Sequence, residues 1–194
     1  MLLTALAVSA LAAQGSAGLM TGTVRYAHVD GPDTSVASGP LLGAVLGFVR
    51  GPWRLGAEYA EGALAGDEHV ALGSAGVLAT VYKDAAVGLA LSGFAHIAAD
   101  ATVRRWWGFE LQTVVRYRPP ATALTGDIAF ALTPIGGVNN PRPFRDLLRL
   151  GAGLGLRLPS HPITVHVGYT LRRGAAGTLH DVVETVNLSA IWTF

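Results

Sequence analysis

The 194-residue chain has the length of one domain, but its composition is not that of an average water-soluble protein. Apolar residues make up 51% of it and charged residues only 14%, against about 25% in a typical soluble domain. The net charge of +1 argues against an electrostatic nucleic-acid binder, and the absence of cysteine excludes disulfides, thiolate metal sites and cysteine nucleophiles.

No apolar run is long enough for a membrane-spanning helix. The most continuous run covers residues 85–99 and contains His96, whereas a spanning helix needs about 17 to 25 residues. Only helices and closed barrels satisfy their backbone hydrogen bonds in lipid. If the chain spans a membrane, we therefore expect it to do so as a barrel.

The first residues are typical of a secretory signal. Met1 to Ala13 form an apolar core, and Ala10 and Ala12 supply small residues for cleavage nearby, although no Lys or Arg precedes the core. A misplaced start and an uncleaved first helix are the alternatives. We predict a signal peptide over residues 1–13 and a single domain over residues 14–194.

Ten segments with a two-residue hydrophobic period follow, and each predicts a β-strand. Their approximate bounds are 18–28, 41–50, 53–60, 69–82, 85–97, 103–117, 122–135, 148–158, 163–172 and 182–194. The connections alternate between longer loops, such as 29–39, 61–68, 136–146 and 173–180, and shorter turns, such as 51–52 and 83–84. We therefore expect four short turns beside the chain termini and five longer loops at the opposite end.

The alternation also predicts which face of each strand is apolar. On the sixth strand Trp107 and Phe109 share one face, whereas Arg104 and Glu110 share the other. The fourth strand is rich in Gly and Ala on both faces, so its facing is poorly constrained. An aromatic girdle is expected beside the short turns, formed by Trp53, Tyr82, Tyr117 and Trp192.

The last strand, residues 182–194, has a mostly apolar face and a face of small polar residues, and it ends on Phe194. A soluble sheet would rarely end with Trp192 and Phe194 both exposed. This stretch resembles the C-terminal strand of bacterial outer-membrane β-barrel proteins, in which an alternating segment ending in Phe is the assembly signal. The resemblance implies a Gram-negative outer membrane, contact with its lipids, and recognition of Trp192 and Phe194 by the barrel-assembly machinery. It indicates no particular family.

We therefore predict an all-β fold, a ten-stranded antiparallel up-and-down transmembrane β-barrel. The alternative is a soluble lipocalin-like barrel that binds a ligand. That fold would place the apolar face inside and would have an exterior rich in Arg with almost no Lys. The patterning favours the membrane barrel.

The polar faces are predicted to line the lumen with charged side chains. They are Arg25, Arg54, Glu58, Arg104, Glu110, Arg116, Asp127, Arg149, Arg157 and Arg172. Seven arginines against three acids leave a positive surplus in a barrel only slightly wider than those that side chains fill. The charges either pair in a plug-like structural network or line a narrow, porin-like passage that prefers small anionic solutes. We favour the network, because buried charges must pair whereas conduction is not required.

Catalysis has only weak support in the sequence. His96 and His166 are predicted to face inward, and Ser92 lies on the same strand face as His96. An outer-membrane lipid-modifying enzyme would work from the lipid-facing surface, which these residues do not reach. The other histidines fall in or beside connections: His28, His69, His161 and His180. We therefore predict no catalytic residue, no metal ligand and no cofactor.

Overall fold

A computed structural model describes residues 13–120 and 122–194, so the predicted signal peptide lies outside the described residues except for Ala13. Ten antiparallel strands each pair with their neighbours in sequence, and the first pairs with the last to close a barrel. The strands are β1 (Gln14–Asp30), β2 (Asp33–Arg50), β3 (Trp53–Ala63), β4 (His69–Tyr82), β5 (Ala85–Ile97), β6 (Val103–Tyr117), β7 (Leu124–Val138), β8 (Phe144–Arg157), β9 (Ile163–Ala176) and β10 (Leu179–Thr193). The predicted ten-stranded up-and-down barrel is confirmed.

The barrel has an apolar exterior, the reverse of a soluble barrel. On β5, Leu89 and Leu91 are 56% and 50% exposed, whereas the intervening Ala90 and the following Ser92 are each 4% exposed. The same alternation holds on β6, where Phe109 and Leu111 face outward and Glu110 is buried. Because successive residues of a strand point to opposite faces, a two-residue hydrophobic period places one set outside and the other inside. No helix among the described residues is long and apolar enough to cross a membrane.

The outward apolar surface forms a belt between two rings of aromatic side chains. Near the chain termini, at what we call the terminal end, the exposed ring consists of the predicted Trp53, Tyr82, Tyr117 and Trp192. Toward the opposite, distal end, a second exposed ring consists of Tyr59, Trp107 and Tyr169. Trp107 and Tyr117 bracket the belt on β6, an interval that matches the roughly 9 to 11 residues of a membrane-spanning strand.

The distal end is built of strand rather than of the long loops that we predicted. In place of the predicted loops 29–39 and 173–180, β1 meets β2 through residues 31–32, and β9 meets β10 through residues 177–178. Gly31 and Gly177 have φ values of 60° and 58°, as tight two-residue hairpins require. The predicted difference in loop length between the two ends is therefore wrong. These segments are polar because they project beyond the apolar belt, not because they lack strand structure.

The facing of β4, which the sequence leaves open, is settled by an irregularity near its end. The register with β5 shifts between Thr80 and Tyr82, and Val81 and Tyr82 are both exposed. The extra residue forms a β-bulge, which reverses the facing of the residues before it. Val70 and Leu72 therefore point inward although the turn at 83–84 has only two residues.

Candidate functional site in the barrel interior

The interior has four layers along the barrel axis. From the terminal end they are a polar vestibule, a layer of ion pairs, an apolar core and a cluster of polar side chains at the distal mouth. Each layer is assembled from the inward faces of several strands.

The vestibule is a cavity of about 660 Å³ at the terminal end. Its walls include residues near the strand ends, such as Gln14 and Thr193, and it extends inward to Glu58 and Arg149. Arg116 and Arg157 line it. Among the described residues, no carboxylate lies within ion-pair distance of either guanidinium, because Asp127 instead bonds His166 at 2.9 Å. The vestibule therefore carries fixed positive charge in contact with solvent.

Arg149 is the centre of the ion-pair layer. Its Nη1 lies 3.0 Å from Glu58 Oε1, and its Nη2 lies 2.8 Å from Glu110 Oε2. Arg172 forms a second ion pair with Glu58. These four residues come from β3, β6, β8 and β9, so the charges link opposite walls of the barrel across its interior.

Hydroxyl and carbonyl groups complete this layer. Ser74 donates to Glu58 at 3.1 Å, and Ser92 donates to Glu110. Arg172 also donates to the carbonyl oxygens of Gly73 and Gly93, at 3.3 Å each. A buried charge is stabilised only when its remaining hydrogen-bonding groups are also satisfied. This arrangement meets that requirement.

An apolar core fills the interior beyond the ion pairs. Its largest member is Trp106, which is 2% exposed, and it also includes Leu147, Leu179 and Val183. Gly174 provides the space for Trp106, since a Cβ added there would lie 2.6 Å from the indole ring. Side chains thus close the lumen between the vestibule and the distal mouth.

The distal cluster surrounds Asp181, which has no exposed surface. Its carboxylate lies 2.7 Å from His28 Nδ1, accepts a hydrogen bond of 2.7 Å from Trp106 Nε1, and lies 3.3 Å from Arg104 Nη1. Arg104 also donates to the Tyr26 hydroxyl at 3.2 Å.

Sequence reasoning did not include Asp181 or His28 in the lumen. Asp181 lies on the inward period of β10 with Val183 and Thr185, and extending the strand period to its first residues would have found it. The predicted loop from residue 29 makes His28 a solvated residue beside a connection, whereas the structure continues the strand to Asp30.

Nine of the ten predicted lumen residues lie on inward faces. Glu58, Glu110, Arg149 and Arg172 join in the central layer, and Arg104 lies in the distal cluster. The remaining four lie toward the terminal end: Arg54, Arg116, Asp127 and Arg157.

Arg25 is a correction, because it lies on the outer surface. It is opposite Glu184 in the register of β1 and β10, and its Nη1 lies 2.7 Å from Glu184 Oε2. The inward face of β1 carries Val24 and Tyr26, which belong to the apolar core. The face that points into the barrel is therefore apolar at this height, and the charged face points outward.

The serine and histidines considered for catalysis from sequence have other partners. Ser92 donates to Glu110, whereas His96 bonds Glu68 at 2.9 Å and stacks on Tyr26 with 4.1 Å between ring centroids. The structure thus does not bring Ser92 and His96 together. Among the described residues, no three potential ligands from His, Cys, Asp and Glu are grouped as a metal site.

Comparisons with known proteins identify the fold but no family. No family model matches the sequence, and no curated protein matches it. The structure is similar to the outer membrane protease OmpT of Escherichia coli, with a TM-score of 0.61 and 8% identity over 94% of this chain and 96% of that one. At this identity the similarity establishes the barrel fold alone.

Two other solved structures show a lower structural similarity. An outer membrane channel from Pseudomonas putida F1 has a TM-score of 0.41 and 11% identity over 94% of this chain and 95% of that one. The attachment invasion locus protein Ail of Yersinia pestis has a TM-score of 0.36 and 8% identity over 93% of this chain and 99% of that one.

Proposed function

We propose that this protein is an integral outer-membrane β-barrel of a Gram-negative bacterium whose interior is closed, so that it forms a wall rather than a passage. The proposed location in the outer membrane rests on the apolar belt between two aromatic rings. Soluble barrels bury such side chains, whereas membrane barrels expose an apolar band flanked by aromatic girdles at both interfaces. Outer-membrane lipids are accordingly the main partner of the exterior.

Charged side chains mark the distal edge of this belt. The Tyr59 hydroxyl donates to Glu61 on the outer surface, and the Tyr169 hydroxyl donates to Glu184 at 3.4 Å. Aromatic rings with one apolar side and one polar group are suited to the boundary between lipid and water. This boundary separates a membrane-embedded half from a distal half that projects into solvent.

The filled interior supports a structural role over conduction. A solute that enters the vestibule meets the Arg149–Glu110 ion pair and then the apolar core around Trp106. Passage would require both layers to separate, which would leave buried charges unpaired. The positive vestibule should attract anions, as expected from the arginine surplus, but it is closed at its inner end.

The half of the barrel that projects beyond the belt supports one orientation of the protein in the membrane. In bacterial barrels the short turns lie in the periplasm and the longer segments are external. Here the strands extend farther beyond the belt at the distal end, so we place that end outside the cell and the vestibule on the periplasmic side.

Planar-bilayer recording of the refolded protein tests the closed interior. We expect no stepwise current from the wild type at neutral pH, at either low or high salt. Trp106→Gly removes the largest core side chain but leaves the ion-pair layer in place, so this variant and its control Trp107→Gly, which removes the outward neighbour, should also carry no current. A reproducible current from the wild type would contradict the closed barrel, whether that current is selective for anions or for cations.

A further inference from the structure

Three side chains on the inner face of the distal half lie in one row across three adjacent strands. Ser35 on β2 is paired with His28 on β1, and His28 is paired with Asp181 on β10. Residues directly opposite each other in adjacent antiparallel strands point to the same face, with Cβ atoms about 4.5 to 5.5 Å apart. The order across the sheet is therefore serine, histidine, aspartate.

The histidine and the aspartate form an oriented pair. His28 Nδ1 lies 2.7 Å from Asp181 Oδ1, and the buried carboxylate is also held by the Trp106 indole at 2.7 Å. When Nδ1–H donates to the buried acid, the imidazole is held in one orientation and Nε2 is left to accept a proton from another group. Arg104 Nη1 lies 2.9 Å from the same Nδ1, and in this tautomer it donates to Asp181 and to the Tyr26 hydroxyl rather than to the ring. The His28 side chain is 19% exposed, so the ring can be reached from the distal mouth.

Ser35 lies on the side of His28 that Asp181 does not occupy. Ala37 and Leu41, on the same period of β2, pack in the apolar core, so the Ser35 side chain belongs to the inward face. Ser35 itself is exposed, since the core ends below it. The structure contains no hydrogen bond between the Ser35 hydroxyl and His28. Nucleophile–base contacts are often long in an unliganded site and tighten when substrate binds.

The accessibility of the row distinguishes it from the other polar groups of the interior. Ser74 and Ser92 each donate to a glutamate of the ion-pair layer and are committed to structure. Along the row, by contrast, exposure increases from a fully buried acid through a partly exposed base to an exposed serine residue. This gradient matches the roles of acid, base and nucleophile, and a purely structural histidine–aspartate pair does not need it.

We propose that Ser35, His28 and Asp181 form a hydrolytic triad for carboxylic esters at the distal mouth. Because the core closes the interior below the row, the site takes a small ester or the end of a chain, presented from the aqueous side.

The reaction proceeds in two steps, acylation of Ser35 and hydrolysis of the acyl–serine. The Ser35 oxygen attacks the acyl carbon while its proton passes to His28 Nε2, and the carbonyl electron pair moves to oxygen. The tetrahedral intermediate collapses, the ester C–O bond breaks, and the leaving alkoxide takes the proton from Nε2. Water then attacks the acyl–Ser35 carbonyl through the same base. The second step yields the carboxylic acid and regenerates the Ser35 hydroxyl.

A serine-directed fluorophosphonate and p-nitrophenyl butyrate test this proposal on the refolded barrel in detergent. The matched variants are Ser35→Ala and Ser38→Ala, since both serines are exposed on β2 but Ser38 is on its outer face. We expect the probe to label Ser35 in the wild type, as located by peptide mass spectrometry, and to lose this site in Ser35→Ala. Ester hydrolysis should fall at least 100-fold in Ser35→Ala and should be unchanged in Ser38→Ala.

A second variant, His28→Asn, tests the base. It should retain a folded barrel, as judged by heat-modifiable gel migration, and should lose labelling at Ser35. Absence of labelling in the folded wild type would overturn the triad. So would hydrolysis that survives Ser35→Ala but is lost in His28→Asn, because the histidine–aspartate pair would then activate water rather than the serine.

Discussion

Arg149 on β8 and Glu110 on β6 meet over the inner face of the intervening strand β7, with 2.8 Å between Arg149 Nη2 and Glu110 Oε2. Glu110 is 1% exposed, and its other carboxylate oxygen accepts a hydrogen bond from Ser92. A charge at this depth must be paired, and its pairing links two strands that do not hydrogen-bond to each other. This contact therefore contributes both to the stability of the barrel and to the closure of its lumen.

Removing the Glu110 charge should destabilise the barrel. In Glu110→Gln, Arg149 loses a buried partner, and breaking such a pair costs about 3 to 5 kcal/mol. Urea unfolding in detergent measures the change. The control is Glu184→Gln, which breaks the Arg25 pair on the surface and should cost less than about 1 kcal/mol. Equal losses in the two variants would contradict the role given to the ion-pair layer.

The fit of Trp106 against Gly174 predicts a second effect on stability. An added Cβ at Gly174 would lie 2.6 Å from the indole, and overpacking of this kind typically costs about 1 to 3 kcal/mol. Gly174→Ala should therefore lower the free energy of unfolding, as measured by denaturant titration. At Gly56 the nearest heavy atom to an added Cβ is 3.9 Å away, so Gly56→Ala should be tolerated. A tolerated Gly174→Ala would mean that the core is looser than described.

Two roles of Phe194 can be tested separately: recognition of its ring by the assembly machinery, and backbone pairing at the end of the barrel. Phe194 exchanges two backbone hydrogen bonds with Gly15, of 2.8 and 2.9 Å, while its ring is 78% exposed. Phe194→Ala keeps those bonds and removes only the ring. If the assembly machinery recognises the ring, insertion in cells should fall while refolding yield in detergent is unchanged. Equal loss in both settings would assign the ring a structural role only.

Topology can be tested with short tags at hairpin tips. A tag inserted between Gly31 and Pro32, or between Asn140 and Pro141, should be labelled on intact cells. A tag between Lys83 and Asp84 should be labelled only after the outer membrane is permeabilised. The reverse pattern would overturn the orientation.

The contact between Arg142 and Asp30, at the distal end and outside the apolar belt, predicts a change in the pKa of the Asp30 carboxyl. A hydrogen bond from the Arg142 guanidinium lowers the pKa of the Asp30 carboxyl from its ordinary value of 3.8. Because this pKa is lowered in the folded state, the contact stabilises the hairpin above pH 3.8, and that stabilisation is lost as pH falls through the lowered value. Carbon NMR titration of Asp30 should show its pKa rise in Arg142→Ala and stay unchanged in Arg145→Ala.

The success of the sequence prediction varied along the barrel axis for a physical reason. Within the belt, an apolar outer face and a polar inner face give a simple period, which predicts the facing of residues such as Leu111 and Glu110 correctly. Beyond the belt the exterior is water and the interior is an apolar core, which reverses the rule. For that reason the period predicts the wrong face for Arg25, and the polar strand ends near His28 have the composition of a loop.

The ion-pair partners could not be read from period alone. The alternation placed Arg149, Glu58 and Glu110 in the lumen, but the stagger between strands decides which of them meet. The predicted start of the last strand at residue 182 leaves out Asp181, whereas β10 begins at Leu179. The geometry of the distal cluster thus depends on closure of β1 against β10, a contact between the two ends of the chain.

The central claim is that the apolar face of this barrel contacts lipid, and spin labels at two adjacent residues of β6 test it most directly. The chain has no cysteine, so Leu111→Cys and Gln112→Cys can each be labelled singly after reconstitution in lipid bilayers. Leu111 is 56% exposed on the outer face, whereas Gln112 lines the vestibule. We expect the label at 111 to collide with oxygen more than with a polar nickel chelate, and the label at 112 to show the opposite preference. A label at 111 that is more accessible to the chelate than to oxygen would contradict the membrane barrel.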